Sequence, residues 1–240
     1  MLVLDGLDLA QRQHYYPLDR QMPLASVATA RDNAKNTPTA VRISWAVIFL
    51  KAYAAVCART PQLRQVYQRW PWPHLLETED VTAQLVVNRS TPAGELLGWG
   101  AFRQPQMQPL RELQRQLELY QTEPVEKVYR KQVTLGRFPR WLRQWLWWWQ
   151  LNFSGEKWAK RFGTFTLSTL AAQGCTNRFH PTMLTTSLTY GPLDEQGNAC
   201  VTLICDHRVL DGLPASLALA DLERELTGPI RNELRELARG

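Results

Sequence analysis

Near its C-terminal end the chain reads Cys205-Asp206-His207-Arg208-Val209-Leu210-Asp211-Gly212. A run of β-forming residues ends, a histidine follows at once, and an Asp-Gly pair turns the chain toward a helical pattern. A histidine at a strand end is held by rigid backbone and can still face a cleft. Its ordinary pKa of about 6.5 suits proton abstraction at neutral pH. The competing reading is a surface or core histidine beside a structural Asp-Gly turn, and His-x-x-x-Asp-Gly is short enough that spacing alone favours it. Cys205 lies two residues before His207, which puts both on one side of an extended strand, but a strand cysteine is more often a small core residue. His14 lies in an irregular region, His74 follows Pro73 in a Trp-Pro-Trp-Pro stretch, and His180 sits in a loop near the candidate site. The four cysteines form no Cys-x-x-Cys and have no histidine pair at zinc spacing, so they read as reduced thiols and no metal site is expected.

The elements that must position these residues follow from periodicity. Residues 1–40 show no pattern and read as irregular. Val41 to Ala58 is nearly all apolar or small and reads as a buried helix stopped by Thr60-Pro61. Val81 to Val87 reads as a strand, and Thr91 to Gly94 as a turn. Gln106 to Gln121 reads as an amphipathic helix with Leu110, Leu113, Leu117 and Tyr120 on one face. Residues 163–170, 183–190 and 201–205 read as strands, the last reached through an Asp194-to-Asn198 turn. Leu213 to Leu226 reads as a helix closed by Gly228-Pro229. Strands and helices interleave without a strict βαβ rhythm, which argues for a mixed α/β or α+β sheet. Neither a dinucleotide-binding glycine pattern nor a Walker loop is present.

The chain has 240 residues, 45% hydrophobic and 21% charged, the profile of a globular protein of one or two domains. No run approaches the roughly 20 apolar residues of a membrane span, and the N-terminus has no basic-then-apolar signal pattern. The expected location is cytoplasmic, with a peripheral position on the inner face of the membrane also open. The net charge of +6 is concentrated in residues 126–161, where nine basic residues face two acidic ones. Such a stripe suits an anionic partner: nucleic acid, a phosphate-bearing cofactor or a lipid headgroup. Within it lie Trp141, Trp145, Trp147, Trp148, Trp149 and Trp158. On a helical wheel Trp141, Trp145, Trp148 and Trp149 share an arc with Leu142, Leu146 and Phe153, while Arg140, Arg143, Gln144 and Gln150 fall opposite, with Trp147 among them. The arc reads either as packing on the sheet or a neighbouring subunit, or as the border of an acceptor channel that meets a long acyl chain, a lipid-like acceptor or a membrane surface. No recognised nucleic-acid module surrounds the stretch, and nucleic acid is not expected as a partner.

Asp206-His-Arg-Val-Leu-Asp-Gly212 resembles the Asp-His-Arg-Val-(Val/Ile)-Asp-Gly signature of the dihydrolipoyl acyltransferase catalytic domains of 2-oxo acid dehydrogenase complexes, relatives of chloramphenicol acetyltransferase. Gly163-Thr-Phe-Thr-Leu-Ser-Thr-Leu170 is similar to that family's Gly-x-Phe-Thr-Ile-Ser-Asn-Leu strand, and Leu50 to Leu63 is similar to its Lys-Ala-x-Ala helix followed by Pro-x-Leu. The blocks keep the family's order. Thr169-Leu170-Ala171 departs from the family's Asn-Leu-Gly, residues 126–161 are longer and more aromatic than their counterpart, and the interval from Ser168 to His207 is shorter. A lipoyl-attachment segment, subunit-binding module and Ala/Pro-rich linker are not seen, so the resemblance is to a catalytic domain alone.

The resemblance implies one domain over residues 1–240: a two-layer sandwich of the chloramphenicol acetyltransferase type, with a mixed sheet flanked by helices. It implies acyl transfer from a thioester of coenzyme A or of a carrier protein's pantetheine arm to a thiol, hydroxyl or amine, with no covalently bound cofactor. His207 would be the general base and Ser168 the donor to the oxyanion. Asp211 would be structural, paired with an arginine such as Arg20 or Arg31, and Gly212 would supply a tight turn. Asp206 and Arg208 would hold the loop. Trp145, Trp147, Trp148 and His180 would border the substrate channel. The resemblance also implies a homotrimer in which the His-bearing loop of one subunit faces the pocket of the next, with an acyl carrier protein as a further partner. The alternative is a family member without activity that serves as a binding or assembly protein.

Overall fold

The computed structural model describes residues 14–35, 42–91, 94–153, 163–180 and 182–239. In chain order the elements are β1 (Tyr15–Pro23), α1 (Ala25–Lys35), α2 (Trp45–Arg59), β2 (Gln65–Gln68), β3 (His74–Glu77), β4 (Thr82–Thr91), β5 (Gly94–Arg103), α3 (Leu110–Thr122), α4 (Val125–Val128), α5 (Arg130–Gly136), α6 (Arg140–Phe153), β6 (Phe165–Leu167), β7 (Thr186–Tyr190), β8 (Asn198–Asp206) and α7 (Gly212–Glu225), then a π-helical turn (Leu226–Ile230) and α8 (Arg231–Leu237).

Six strands form one mixed sheet in the order β1-β8-β7-β6-β4-β5, and β2 and β3 form a separate hairpin. The pairs β4–β6 and β6–β7 are parallel and the others antiparallel. Parallel neighbours need long crossovers, and the β4-to-β6 connection carries the helices α3 to α6. Alternate strand residues point to opposite faces. Ala83, Leu85, Phe165, Leu167, Leu188, Leu203 and Cys205 join the apolar core with α2 and α7. There Phe49 stacks on Tyr190 at 4.1 Å, and the Tyr53 hydroxyl donates to Thr186 Oγ1 at 3.0 Å. The intervening residues, including Gln84, Thr166, Ser187, Thr189 and Thr202, line the opposite face and are buried as well.

Several boundaries differ from the sequence reading for local reasons. The long helix begins at Trp45 because Ser44 Oγ accepts a hydrogen bond from the Val47 amide and caps it. The helix expected from Gln106 begins at Leu110, after a 3-10 turn and Pro109. The strand expected over 163–170 is only three residues long. Gly163, which precedes it, has φ +98°, and a side chain there would meet the Thr82 carbonyl oxygen at 2.8 Å. Residues 183–185 lie outside β7, whereas β8 runs longer than expected in both directions.

Two expectations are corrected. Residues 14–35 are ordered as β1 and α1, not irregular. Pro17 and Pro23 hide β1 from a strand pattern, but β1 is an edge strand, where a missing N–H is tolerated. The C-terminal helix is not closed by Gly228-Pro229. The widened π turn accommodates the proline, and buried Leu226, Ile230 and Leu234 carry the helical path onward.

Candidate active site

The loop after β8 is pinned from several directions. The Asp206 side chain is buried and accepts from the Arg208 amide at 3.0 Å, from Arg208 Nε at 2.9 Å and from Arg208 Nη2 at 2.5 Å. The Arg208 guanidinium lies 4.6 Å over the ring of Tyr67, from the β2–β3 hairpin. The Val209 and Leu210 amides both donate to the Asp206 carbonyl. Leu210 is buried, and its carbonyl accepts from the Tyr16 hydroxyl at 2.9 Å. The His207 amide donates to the His14 carbonyl at 2.9 Å. A two-residue charge clamp and an apolar anchor thus set the backbone on either side of His207.

The His207 imidazole packs against the Tyr16 ring at 4.8 Å between centroids, and its Nδ1 lies 3.3 Å from Asp211 Oδ1. It is 60% exposed. With Nδ1 turned to a carboxylate, the neutral tautomer that favours this contact carries its proton on Nδ1 and leaves the Nε2 lone pair open. That is the arrangement a general base requires.

Among the described residues Asp211 meets no arginine. It precedes α7 and is 81% exposed. Arg20 pairs with Val201 in the β1–β8 ladder, well up the strand from the His207 loop, and its Nε donates to Glu223 at 2.6 Å. Arg31 donates to the Ile43 carbonyl and stacks on Trp45. The loop is held by Asp206 and Arg208 instead. Gly212 also differs from expectation: it has no positive φ, and a side chain built there would meet nothing within 4 Å. The turn does not require glycine.

Ser168 follows β6 directly, half-buried, with its amide donating to the Leu188 carbonyl at 3.1 Å. Among the described residues its hydroxyl has no hydrogen-bond partner. The ladders fix where it stands. Leu167 pairs with Leu188 and Leu188 with Leu203, so Ser168 is level with Thr202. That is five residues along β8 from His207 and two strands away. At about 3.3 Å per residue and about 4.8 Å per strand the separation is about 19 Å. The fold of one chain does not bring these two side chains together.

His180 packs on the polar sheet face, with Nε2 2.7 Å from Ser187 Oγ. Burial pushes its pKa down to about 4, so it is neutral near pH 7. Cys205 is in the core, and burial, the largest influence on it, pushes its thiol up to about 12, which removes it as a nucleophile. Ser187 and Thr189 escaped the sequence reading. Their signal is the alternation of hydroxyls with Leu188 and Tyr190 in a strand buried on both faces.

In α6 the wheel is inverted relative to a packing helix. Trp141, Trp145, Trp148 and Trp149 are exposed, and the Trp145 and Trp149 rings stack at 5.9 Å. Arg143, expected on the polar side, is buried and donates to the Phe138 carbonyl at 2.7 Å. The side chain of Trp147, like residues 154–162 with Trp158, lies outside the described residues. Among the described residues no helix is long and apolar enough to cross a membrane.

A truncated catalytic core of the 2-oxoacid dehydrogenase multienzyme complex from Thermoplasma acidophilum superposes with a TM-score of 0.68 at 16% identity, covering 95% of this chain and 94% of that one. Chloramphenicol acetyltransferase superposes at 0.53 and 11% identity, covering 92% and 94%. The fold is that of chloramphenicol acetyltransferase. A third example with this fold, dihydrolipoamide acetyltransferase from Azotobacter vinelandii, superposes at 0.67 and 16% identity, covering 97% and 88%. Its structure was determined to investigate a serine, a histidine and an asparagine in its catalytic mechanism. No family model matches the chain, and no curated protein matches it in sequence. At these identities the likeness to chloramphenicol acetyltransferase and the acyltransferase cores is one of fold.

Proposed function

We propose that the chain is an acyltransferase that uses an acyl thioester, with His207 as its general base. The observation that carries this reading is the clamped strand-end loop, which turns His207 Nδ1 to Asp211 and leaves Nε2 open. In the proposed step His207 Nε2 takes the proton of an acceptor thiol, hydroxyl or amine as the acceptor attacks the thioester carbonyl. The resulting oxyanion accepts a hydrogen bond from the Ser168 hydroxyl. Collapse expels the donor thiolate, and the proton on His207 returns to it. The A. vinelandii enzyme, whose mechanism was probed at a serine and a histidine, supports the pairing of these residue types. In that enzyme the asparagine stands four positions after the histidine; here that position is Asp211. A carboxylate there also attracts the imidazolium formed during proton transfer.

The separation of Ser168 from His207 within one chain leads to the assembly. A site containing both takes them from different copies, and a cyclic homotrimer supplies each site with His207 of one subunit and Ser168 of the next. The thioester is carried by coenzyme A or by the pantetheine arm of an acidic carrier protein. The basic residues of 126–161 suit the phosphates of either, and no cofactor is held covalently. The outward tryptophans of α6, with Arg137 and Arg140 beside them, suit an anionic membrane surface that delivers a lipid-like acceptor or receives the product.

The test is thiol release from a panel of acyl-coenzyme A and acyl-carrier thioesters with thiol, alcohol and amine acceptors. Turnover that disappears in a folded His207→Ala variant supports the reading. Wild-type protein that transfers no acyl group, or a His207→Ala variant that retains most of its activity, overturns it.

A further inference from the structure

A sheet face buried for packing alone is apolar, because each buried hydroxyl or amide must find a partner. The face of β8, β7, β6 and β4 away from the helices is instead lined by Thr202, Ser187, Thr189, Thr166 and Gln84. Two of these side chains are paired within the chain: Thr202 Oγ1 donates to Asp19 Oδ1 at 2.6 Å, and Ser187 Oγ donates to the Thr166 carbonyl at 3.2 Å. Two buried atoms are not. Among the described residues His180 Nδ1 and Thr189 Oγ1 have no hydrogen-bond partner.

The unpaired nitrogen has a defined character. Ser187 Oγ has one proton, and using it on the Thr166 carbonyl leaves Oγ as acceptor toward His180. The assignment that satisfies both contacts therefore puts the imidazole proton on Nε2. His180 Nδ1 is then a bare lone pair in a buried place. Burial keeps the ring neutral, so it does not become a donor near neutral pH. Thr189 is two residues from Ser187 on the same strand and the same face, about 7 Å along it, and pairs in register with the position of Ser168. The strip thus starts at Ser168, passes the free hydroxyl of Thr189 and ends at the free lone pair of His180.

We propose that His180 Nδ1 and Thr189 Oγ1 form a subsite for an uncharged hydroxyl or amide group of the ligand, its O–H or N–H donated to Nδ1. The charged groups nearest the strip, Asp19 at Thr202 and Arg178, are paired with each other at 3.5 Å, so neither is left to bind an ammonium or carboxylate there. A plain alkyl chain would leave both atoms unpaired. This deepens the acyltransferase reading by assigning the chemistry of the transferred chain or of its acceptor. Ser187 lies about 8 Å from the level of Ser168, roughly six bonds of an extended chain from the carbonyl carbon.

The test compares hexanoyl-coenzyme A with 6-hydroxyhexanoyl-coenzyme A as donors in one arm, and hexanethiol with 6-mercaptohexanol as acceptors in the other. Wild-type protein should prefer the hydroxylated member in one arm, which identifies the source of the group. His180→Gln places an amide nitrogen where Nε2 was and removes the Nδ1 acceptor, and should reduce that preference by about tenfold, the scale of one hydrogen bond. Thr189→Val should reduce it as well, and stands in if the glutamine variant does not fold. No preference in either arm, or a preference unchanged in folded variants, overturns the subsite. Nitrogen-15 NMR of the histidine rings tests it independently of turnover. A neutral His180 with its proton on Nε2 is expected, and a proton on Nδ1 at pH 7 overturns the proposal even if acyl transfer is established.

Discussion

Mixing two inactive variants tests the two-subunit site directly. In one chain Ser168 and His207 are separated by five residues along the ladder and two strands across it, about 19 Å. A histidine and a serine side chain together reach less than half that distance, so a site containing both draws on two copies. His207→Ala and Ser168→Ala chains, co-expressed in equal amounts with different affinity tags and purified through both, form mixed assemblies. Where each site takes His207 from one subunit and Ser168 from its neighbour, every trimer holding both variants has one intact site of three, and activity returns to about one third of wild type. Each variant alone is expected to stay far lower: His207→Ala lacks the proposed base, and Ser168→Ala should lose roughly 10²–10³ in turnover, the effect of one oxyanion donor. Thiol release from an acyl thioester reads all three samples. A mixed preparation no more active than the average of its parents would refute the argument from register.

Further expectations concern the loop, the buried histidine and the tryptophan face. Asp206→Ala removes the partner of a half-buried guanidinium and should cost about 3 kcal/mol in denaturant melts, with loss of activity at temperatures where the chain remains folded. His180 has its folded pKa lowered from 6.5 to about 4 by burial, so the unfolded chain binds the extra proton first. Its contribution is complete above pH 6.5 and is lost as pH falls toward 4, by about 2 kcal/mol at pH 5. Melts of wild type against His180→Gln should show that dependence only in the wild type. Replacing Trp145, Trp148 and Trp149 with glutamine should change stability by no more than about 0.5 kcal/mol per site, as these side chains are exposed. It should abolish flotation with anionic liposomes while leaving turnover of short water-soluble acyl thioesters unchanged; unchanged flotation would rule out a membrane role for this face.

The residues from 163 to 225 were the most legible in sequence because their signals are local. Alternating Thr and Leu mark β7, the Asp194–Asn198 turn marks the entry to β8, and Asp206 to Gly212 marks a strand end followed by a helix start. The apolar run before Thr60-Pro61 marks α2 in the same way. Tertiary structure decided what depended on distant partners. β1 became a strand because β8 lies beside it, Tyr15 opposite Asp206, and nothing within residues 15–23 reveals that edge. Composition identified the Trp-rich helix, but a helical wheel has no inside or outside. It is the fold that buries Arg143 against the Phe138 carbonyl and turns four indoles outward. The partner of Asp211 was expected to be an arginine, yet ladder register sets Arg20 far along the strand and beside Glu223. Ser168 and His207 each stand out in the sequence, but their separation is a property of strand order and register. Those are set by which apolar faces close the core, and a reading of spacing along the chain contains no information about them.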